Sequence, residues 1–477
     1  MSVNALSIKW DLLPYCYGQG LDLGCGDCRP HDFMVGVDIV AGSGPRGPNV
    51  IADARNLKIF ADKSQDYVFS SNLLNELEDR EKILAEWWRL IKDDGYLILF
   101  LPVNEKCQPK QMIDAMLPLR PWQMIEARTN NEFFFHVYRK CDKPSIVDQP
   151  KPEKIVALMK LGAHGDALWS SSVFPHLKEQ GYHTILYTQD TGEEVLRHDP
   201  HIDQIIRFES RVPMGELGEL FQWMETKYEN SRILVECVEG TLLPSPQKIQ
   251  YWFPSNLRHQ LMNHNYLDVH HMQARVPLEP RVKFYPNEAE KAEANKFRAT
   301  LKEFVVVLVP NGSSCTKYWP HSAEFTKELL KREDTSVVMI GDERGTVLEE
   351  HSNLHKIGLT WKVRQAMTFC QLANVVVGEE TGLLNSVSFE KDVHKVVLLT
   401  HSSVENLTRD WPNTTSIREM PPCAGESACH RLHYDFSGCV KHEETNSAVC
   451  QQMIKPETIL KIVNDILDFQ LTNYKVA

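Results

Sequence analysis

No stretch of this sequence is an apolar run long enough to cross a bilayer, so no transmembrane segment is expected. The segment Met1 to Pro14 lacks the long apolar core and small-residue cleavage site of a secretory leader, and the reading that follows is cytoplasmic. Basic charge is short as well. Against 64 Asp and Glu stand 52 Lys and Arg, a formal net charge of -12, which disfavours bulk binding to a nucleic-acid backbone. Internal repeats, heptads and low-complexity tracts are missing, which sets aside solenoids and coiled coils. Of the 12 cysteines, eight are scattered from Cys16 to Cys370 and look like reduced thiols rather than a disulfide framework.

What is present is an ordinary globular composition, 42% hydrophobic and 24% charged, in a chain of 477 residues that one core would not span. Length alone suggests roughly three domains. The pattern agrees, with α/β units that start afresh along the chain. A first domain occupies 1–141. The segment 142–153, with three prolines among charges, reads as an exposed, stiff linker. A second unit, 154–285, opens on the strand Ile155 to Leu158. A third, 286–477, follows a helix at 286–300 and opens on the β-branched run Phe304 to Val309, a buried parallel strand. Within it lie a cysteine-rich segment, 423–450, and a final helix, 456–471, with Ile459, Leu460, Val463, Ile466 and Leu467 at helical spacing behind Pro456.

In the first domain Gly20-Leu21-Asp22-Leu23-Gly24-Cys25-Gly26-Asp27 ends a strand in a glycine turn, where backbone can approach a ligand closely. Asp38 ends the next strand, where a carboxylate can accept both hydroxyls of a ribose. An NAD-binding domain would share those two features. The continuation Ile51-Ala52-Asp53-Ala54-Arg55-Asn56-Leu57, then Asp66 to Asn72, then Leu84 to Leu101, resembles class I S-adenosylmethionine-dependent methyltransferases in order and spacing. That resemblance implies S-adenosylmethionine as cofactor, bordered by Asp22, Gly24, Gly26, Asp38 and Asp53, with Ser70 and Asn72 facing the methyl-transfer site. Leu74-Asn75-Glu76 stands where relatives often have Leu-Glu-His, and no general base is evident. Cys25 of the Cys25–Cys28 pair fills a small-residue slot in the glycine turn, a packing role.

The second and third units carry Gly162-Ala163-His164-Gly165-Asp166 after a strand, and Asp199-Pro200-His201-Ile202-Asp203-Gln204-Ile205-Ile206 further on. Together these resemble the opening of ADP-heptose lipopolysaccharide heptosyltransferases. The resemblance continues in Ser313-Ser314-Cys315-Thr316-Lys317-Tyr318-Trp319-Pro320 and in Val377-Gly378-Glu379-Glu380-Thr381-Gly382-Leu383-Leu384-Asn385. It implies a two-Rossmann GT-B glycosyltransferase, so that the whole chain becomes three Rossmann-like α/β units. Asp166 is the expected base toward an acceptor hydroxyl, with a cap on the following helix as the lesser alternative. Lys317 is expected to stabilise the charge on a departing nucleoside diphosphate. Ser313, Ser314, Thr316, Glu380, Thr381 and Gly382 are expected beside the nucleotide-sugar donor, with no catalytic metal. Glu380 replaces the family's Asp and Asn385 its His, which bears on the donor sugar.

Cys423, Cys429, Cys439 and Cys450, interleaved with His430, His433 and His442, are dense enough to raise a structural metal, but the spacing fits no standard finger; packed thiols in a peripheral hairpin are expected, with a metal or disulfide staple as the alternative. His270 and His271 read as surface residues. The function expected is sugar transfer from a nucleotide sugar to a saccharide hydroxyl, with O-methylation of the glycan by the first domain and a glycan or lipopolysaccharide-type acceptor. Two alternatives stand beside it: the same chemistries on modified DNA bases, and a non-enzymatic scaffold built from two transferase folds. Nothing in the sequence sets the oligomeric state.

Overall fold

The computed structural model describes residues 5–142, 152–235, 237–238, 240–341, 348–424 and 427–474. Almost all of the expected linker at 142–153 lies outside them. Two compact units are present. One comprises Met1–Glu153 with Ile206–Glu229, the other Lys154–Ile205 with Asn230–Ala477.

The first unit is built on a seven-stranded sheet in the order β3-β2-β1-β4-β5-β7-β6. Its strands are β1 (Gly20–Leu23), β2 (Val35–Asp38), β3 (Val50–Ile51), β4 (Gln65–Ser71), β5 (Ile91–Pro102), β6 (Trp122–Thr129) and β7 (Phe133–Lys140). β1 to β5 pair in parallel, while β7 runs antiparallel to both β5 and β6. Leu21, Leu23, Val68, Leu97 and Leu99 share one core with Ile83, Leu84 and Trp87 of the helix Arg80–Leu90. Burial on both faces is what a parallel sheet flanked by helices demands, and it explains why these strands read as continuous apolar runs. The segment Ile206–Glu229 joins this unit through polar contacts. Glu216 pairs with Lys9 and with Arg46, Lys227 with Asp11, and the Glu209 carboxylate accepts the Gly18 N–H.

The second unit holds two sheets. The smaller has the order β10-β9-β8-β11, with β8 (Ile155–Met159), β9 (His183–Thr188), β10 (Gln204–Arg207) and β11 (Ser231–Ile233). The larger runs β14-β13-β12-β15-β16-β17, with β12 (Phe304–Val309), β13 (Thr335–Ile340), β14 (Leu354–Gly358), β15 (Val375–Glu379), β16 (His394–Leu399) and β17 (Thr414–Arg418). β12 is buried throughout and feeds two cores by alternation. Phe304, Val306 and Leu308 pack with Ile459, Val463 and Leu467 of the final helix, which runs Pro456–Tyr474. Val305, Val307 and Val309 face the opposite way, into a cluster that includes Val156, Leu158 and Leu384. Burying each such side chain contributes about 1.5–3 kcal/mol.

The expectation for His270 and His271 is corrected here. Both are fully buried on the helix Tyr266–Ala274. The ring Nδ1 of His270 bonds to the Tyr266 carbonyl at 2.8 Å, and Nε2 of His271 meets the Ser172 hydroxyl at 2.7 Å. Burial lowers the proton affinity of both, His270 to about 3, so they pack as neutral rings. Among the described residues no helix is long and apolar enough to span a membrane.

Candidate functional site

Each sheet has one strand whose neighbours diverge in sequence, and the crevice at its carboxyl end is where open α/β sheets bind ligands. β1 lies between β2 and β4, β8 between β9 and β11, β12 between β13 and β15. The glycine turn Gly24–Gly26, the Gly162–Asp166 turn and the Asn311–Lys317 loop follow those three strands directly.

In the first unit the backbone at Gly24 and Gly26 is left-handed, with φ of 74° and 51°. A Cβ on Gly24 would strike Leu73 at 2.8 Å, whereas one on Gly26 would meet nothing within 4 Å. The turn is therefore braced on the sheet side and open at its tip, where a ligand can come within contact of backbone. Asp38 stands beside it. Its Oδ2 accepts the Gly26 N–H at 3.0 Å and its Oδ1 accepts the Val40 N–H at 3.2 Å. Asp53 is held by Arg55 through 2.7–3.0 Å bonds, which keep its carboxyl below the usual range. Ser70 is buried and donates to the Leu23 carbonyl at 2.9 Å, while Asn72, at φ 55°, donates its N–H to the Phe100 carbonyl at 3.1 Å. An open groove of about 1120 Å³, lined by Asn75, Glu76, Asn104 and Glu105, follows the carboxyl ends of β4 and β5.

Asp22 sits on β1 itself and is 1% exposed, with Oδ2 lacking a hydrogen-bond partner. Burial raises its carboxyl to about 8, with the Arg29 charge opposing and Asp38 reinforcing. A folded-state pKa raised above the unfolded value gives stability that is full below about pH 4 and lost as pH rises toward 8. The expected result is that wild-type melting temperature falls between about pH 5 and pH 8 and that Asp22→Asn flattens this fall, read by thermal melts across that range. An unchanged slope in the variant would assign the fall to other groups.

In the second unit Gly162, at φ 116°, closes the turn after β8. Asp166 is half-buried, and its Oδ2 accepts the Ala163 N–H at 3.0 Å, so the carboxylate does cap the short helix His164–Trp169. Gly165 abuts the turn that follows β15: a Cβ there would lie 2.8 Å from Asn385 Nδ2 and 3.2 Å from Gly382 Cα. The two turns approach closely: a Cβ at Gly165 would require the Asn385 amide to shift, and one at Gly382 would lie 3.2 Å from the Gly165 nitrogen. The Thr381 hydroxyl and the Asn385 side-chain carbonyl are buried beside this contact without hydrogen-bond partners.

The loop after β12 closes on itself. Gly312 N–H donates to the Lys317 carbonyl, Lys317 N–H to the Ser314 carbonyl at 2.9 Å and Trp319 N–H to the Pro310 carbonyl at 3.2 Å. Trp319 is fully buried and its indole N–H donates to the Ile454 carbonyl at 2.9 Å, pinning the loop from behind. Lys317 is half-buried, its aliphatic stem against Gly312, which also approaches Thr381. Ser313, Ser314 and Tyr318 line a cavity of about 630 Å³ whose far wall is Tyr434, Asp435 and Phe436 of the cysteine-rich segment.

Behind Lys317 lie two adjacent glutamates with opposite behaviour. Glu379 is fully buried with neither oxygen partnered, and burial drives its carboxyl well up against the pull of Lys317, so it is a neutral acid. Glu380 is 7% exposed; burial alone would raise it, but His401 and Lys317 outweigh that and bring it to about 2. Its Oε2 stands 3.0 Å from His401 Nε2. Glu379 and His401 are absent from the sequence-based set of site residues. The available signal was Thr400-His401-Ser402, a polar run placed at the carboxyl end of an apolar strand.

The cysteine tail packs against the same loop. Cys315 donates its thiol to the Asp435 carbonyl at 3.0 Å and hydrogen-bonds with Cys439, and Cys429 Sγ lies 3.8 Å from His433 Nε2. Cys423, Cys429, Cys439 and Cys450 are free thiols, and among the described residues no three His, Cys, Asp or Glu side chains form a metal-holding group.

Residues 21–99 match the family model for a methyltransferase domain. No curated protein matches the chain. Among solved structures, the ADP-heptose lipopolysaccharide heptosyltransferase II of E. coli is similar over 66% of this chain and 99% of its own, at 16% identity and a TM-score of 0.46. A family 9 glycosyl transferase from Veillonella parvula is similar over 67% of this chain and 98% of its own, at 13% identity and a TM-score of 0.46. The 1,6-didemethyltoxoflavin-N1-methyltransferase of Burkholderia thailandensis covers 29% of this chain and 79% of its own, at 15% identity and a TM-score of 0.25.

Proposed function

We propose, from a methyltransferase domain at residues 21–99 as premise, that this chain joins two group transfers to one glycan: a sugar added to a saccharide hydroxyl from a nucleotide-sugar donor, and a methyl group added from S-adenosylmethionine. The observation that carries the sugar-transfer reading is the close approach of Gly165 to Gly382, which brings the turn bearing Asp166 against the turn bearing Thr381. Asp166 takes the proton of the acceptor hydroxyl as that oxygen bonds to the anomeric carbon. The bond from that carbon to the diphosphate breaks, and the negative charge left on the diphosphate is met by the Lys317 ammonium and the hydroxyls of Ser313 and Ser314. A lipopolysaccharide-type glycan is the acceptor this reading names.

For the first unit, the open space at Gly26 beside the Asp38 carboxylate suits an adenosine ribose, and Asp53 and the exposed side chains of Ile39 and Val40 flank it. S-adenosylmethionine bound there would supply an electrophilic methyl group. The chain's own contribution is to hold the ribose on Asp38 and to keep Gly26 free of side-chain bulk. Asp38→Ala is expected to weaken S-adenosylhomocysteine binding by about tenfold or more, since a charge-assisted hydrogen bond is removed. Calorimetry checks this, and undiminished affinity would remove the ribose from Asp38. The whole reading is tested by titrating the full chain with S-adenosylhomocysteine and with ADP, GDP and UDP. Binding of both classes supports two working sites, and binding of neither favours the scaffold alternative.

A further inference from the structure

Cys315 stands on the wall of the 630 Å³ cavity, in the loop that carries Ser313, Ser314 and Lys317. The opposite wall is the cysteine-rich segment, and that segment is bonded to Cys315 at three points. The Cys315 N–H donates to the His433 carbonyl at 3.2 Å, its thiol donates to the Asp435 carbonyl at 3.0 Å, and its sulfur accepts the Cys439 thiol. A short helical turn, Phe436–Gly438, brings Cys439 to that place. Asp435 caps the turn by accepting the Ser437 N–H at 2.8 Å, and the Cys439 N–H closes it on the Phe436 carbonyl at 3.4 Å. Both thiols are half-buried.

We propose that Cys315 and Cys439 are a reversible redox pair: on closing to a disulfide they tie the Ser313–Lys317 loop to the cysteine-rich segment and weaken diphosphate binding. The weakening rests on the reading of this cavity as the donor site, whereas the pair itself does not.

The chemistry is thiol–disulfide exchange with a low-molecular-weight disulfide, of which glutathione disulfide is the probe. The Cys315 thiolate attacks one sulfur of that molecule, its S–S bond breaks, and one glutathione leaves as a thiolate that takes up a proton from water. Cys439 then gives its proton to water and its sulfur attacks Cys315, expelling the second glutathione. Two protein thiols are oxidised to one disulfide, and one small disulfide is reduced to two thiols. Excess thiol drives the same steps backwards.

The surroundings assign the two roles. Cys315 lines the cavity, so a small disulfide has a path to it. The S–H that it accepts from Cys439 holds the Cys315 thiol below its usual range, against burial, and favours the thiolate that attacks. Cys439 is held high first by that same hydrogen bond and then by burial. Once the Cys315 sulfur is part of a mixed disulfide it carries no charge to accept that bond, so the main restraint on Cys439 is lifted and it can ionise and resolve the link. The neighbouring thiols of Cys423, Cys429 and Cys450 are all pushed up by burial, Cys429 to about 12, and stay inert.

The consequence for the cavity follows from position. A covalent bond holds two sulfurs closer than a hydrogen bond does. Cys315 follows Ser313 and Ser314 directly, so drawing its sulfur onto Cys439 shifts the hydroxyls that meet the diphosphate, and the Asp435 carbonyl loses the S–H that it accepts.

The test treats the reduced full chain with glutathione disulfide, maps disulfides by peptide mass spectrometry, and titrates both forms with ADP, GDP and UDP by calorimetry. Wild type is expected to lose two of its 12 thiols and to yield a Cys315–Cys439 linked peptide. The oxidised form should bind at least one diphosphate more weakly, by about tenfold, and dithiothreitol should restore the affinity. Cys439→Ser should trap Cys315 as a mixed disulfide with glutathione, and Cys315→Ser should bind diphosphate equally with and without oxidant. Oxidised wild type without the Cys315–Cys439 link overturns the pair. So does a metal ion on the untreated chain that Cys439→Ser loses. A mapped link with unchanged diphosphate affinity overturns its control of binding while leaving the transferase reading intact. Should a variant fail to fold, the mapped link and its reversal in wild type decide alone. If reduced wild type binds none of the three diphosphates, the donor reading falls together with the control of binding, and the mapped link then decides the pair.

Discussion

Asp166→Asn is expected to lower the turnover of sugar transfer by about 100- to 10,000-fold while leaving the melting temperature close to wild type. The carboxylate has one observed role and, under the proposed function, a second. Its Oδ2 accepts the Ala163 N–H at 3.0 Å, a helix-capping bond, and the group is half-buried in the turn whose Gly165 meets Gly382. An amide retains a carbonyl oxygen for the cap but cannot take a proton at neutral pH, so the substitution separates the two roles. Asp166→Ala loses both, and adds a stability loss of about 1 kcal/mol, the ordinary worth of one hydrogen bond. The comparison is made by initial rates with the sugar nucleotide whose parent diphosphate binds, alongside thermal melts. Equal turnover in wild type and Asp166→Asn would leave Asp166 a cap and nothing more.

Lys317→Ala is expected to weaken nucleoside diphosphate binding by about tenfold and to cost about 100-fold in turnover, because the charge on the diphosphate is greatest as the sugar leaves. Lys317 is the cation carried by the closed Asn311–Trp319 loop, and the loop is held from behind by the Trp319 bond to Ile454. Loss of the ammonium leaves the loop's own backbone bonds untouched, so the fold should tolerate it. Lys317→Arg should recover part of both quantities, since a guanidinium restores the charge with different geometry. Diphosphate affinity that does not change in Lys317→Ala would place the phosphates elsewhere in the cleft. Asp166→Asn, by contrast, should spare diphosphate affinity, and the two variants together separate donor binding from proton transfer.

The strand-ending motifs were legible because they are local. Gly20 to Gly26, Lys160 to Asp166 and Val309 to Lys317 each couple an apolar run to a glycine- or polar-bearing turn, and the structure puts all three at the strands where sheet order diverges. The helix expected at 286–300 is observed at Glu288–Arg298, begun by a reciprocal cap between Asn287 and Glu290, and the strand Phe304–Val309 and the final helix behind Pro456 lie where expected. In each case a period of two or 3.6, or a capping residue within one turn, carries the information.

What local pattern could not reach is where a residue's partner lies far away in sequence. Buried His270 and His271 have the same neighbours in sequence as exposed histidines would, and only the packing of Ser172 and Pro277 against them makes them core. Glu380 reads in sequence as a donor-facing residue, yet its partner is His401 on the next strand's loop. Ile206–Glu229 follows a β-strand motif of the second unit and is nonetheless held by Lys9, Asp11 and Arg46 of the first. The sequence by itself determined the three α/β units and the turns that bear Asp38, Asp166 and Lys317, since side-chain period and turn chemistry act over a few residues. Only the tertiary structure decided which carboxylates face solvent, which are neutralised by burial and which are turned inward onto a histidine, because desolvation and pairing depend on atoms that the fold alone brings together.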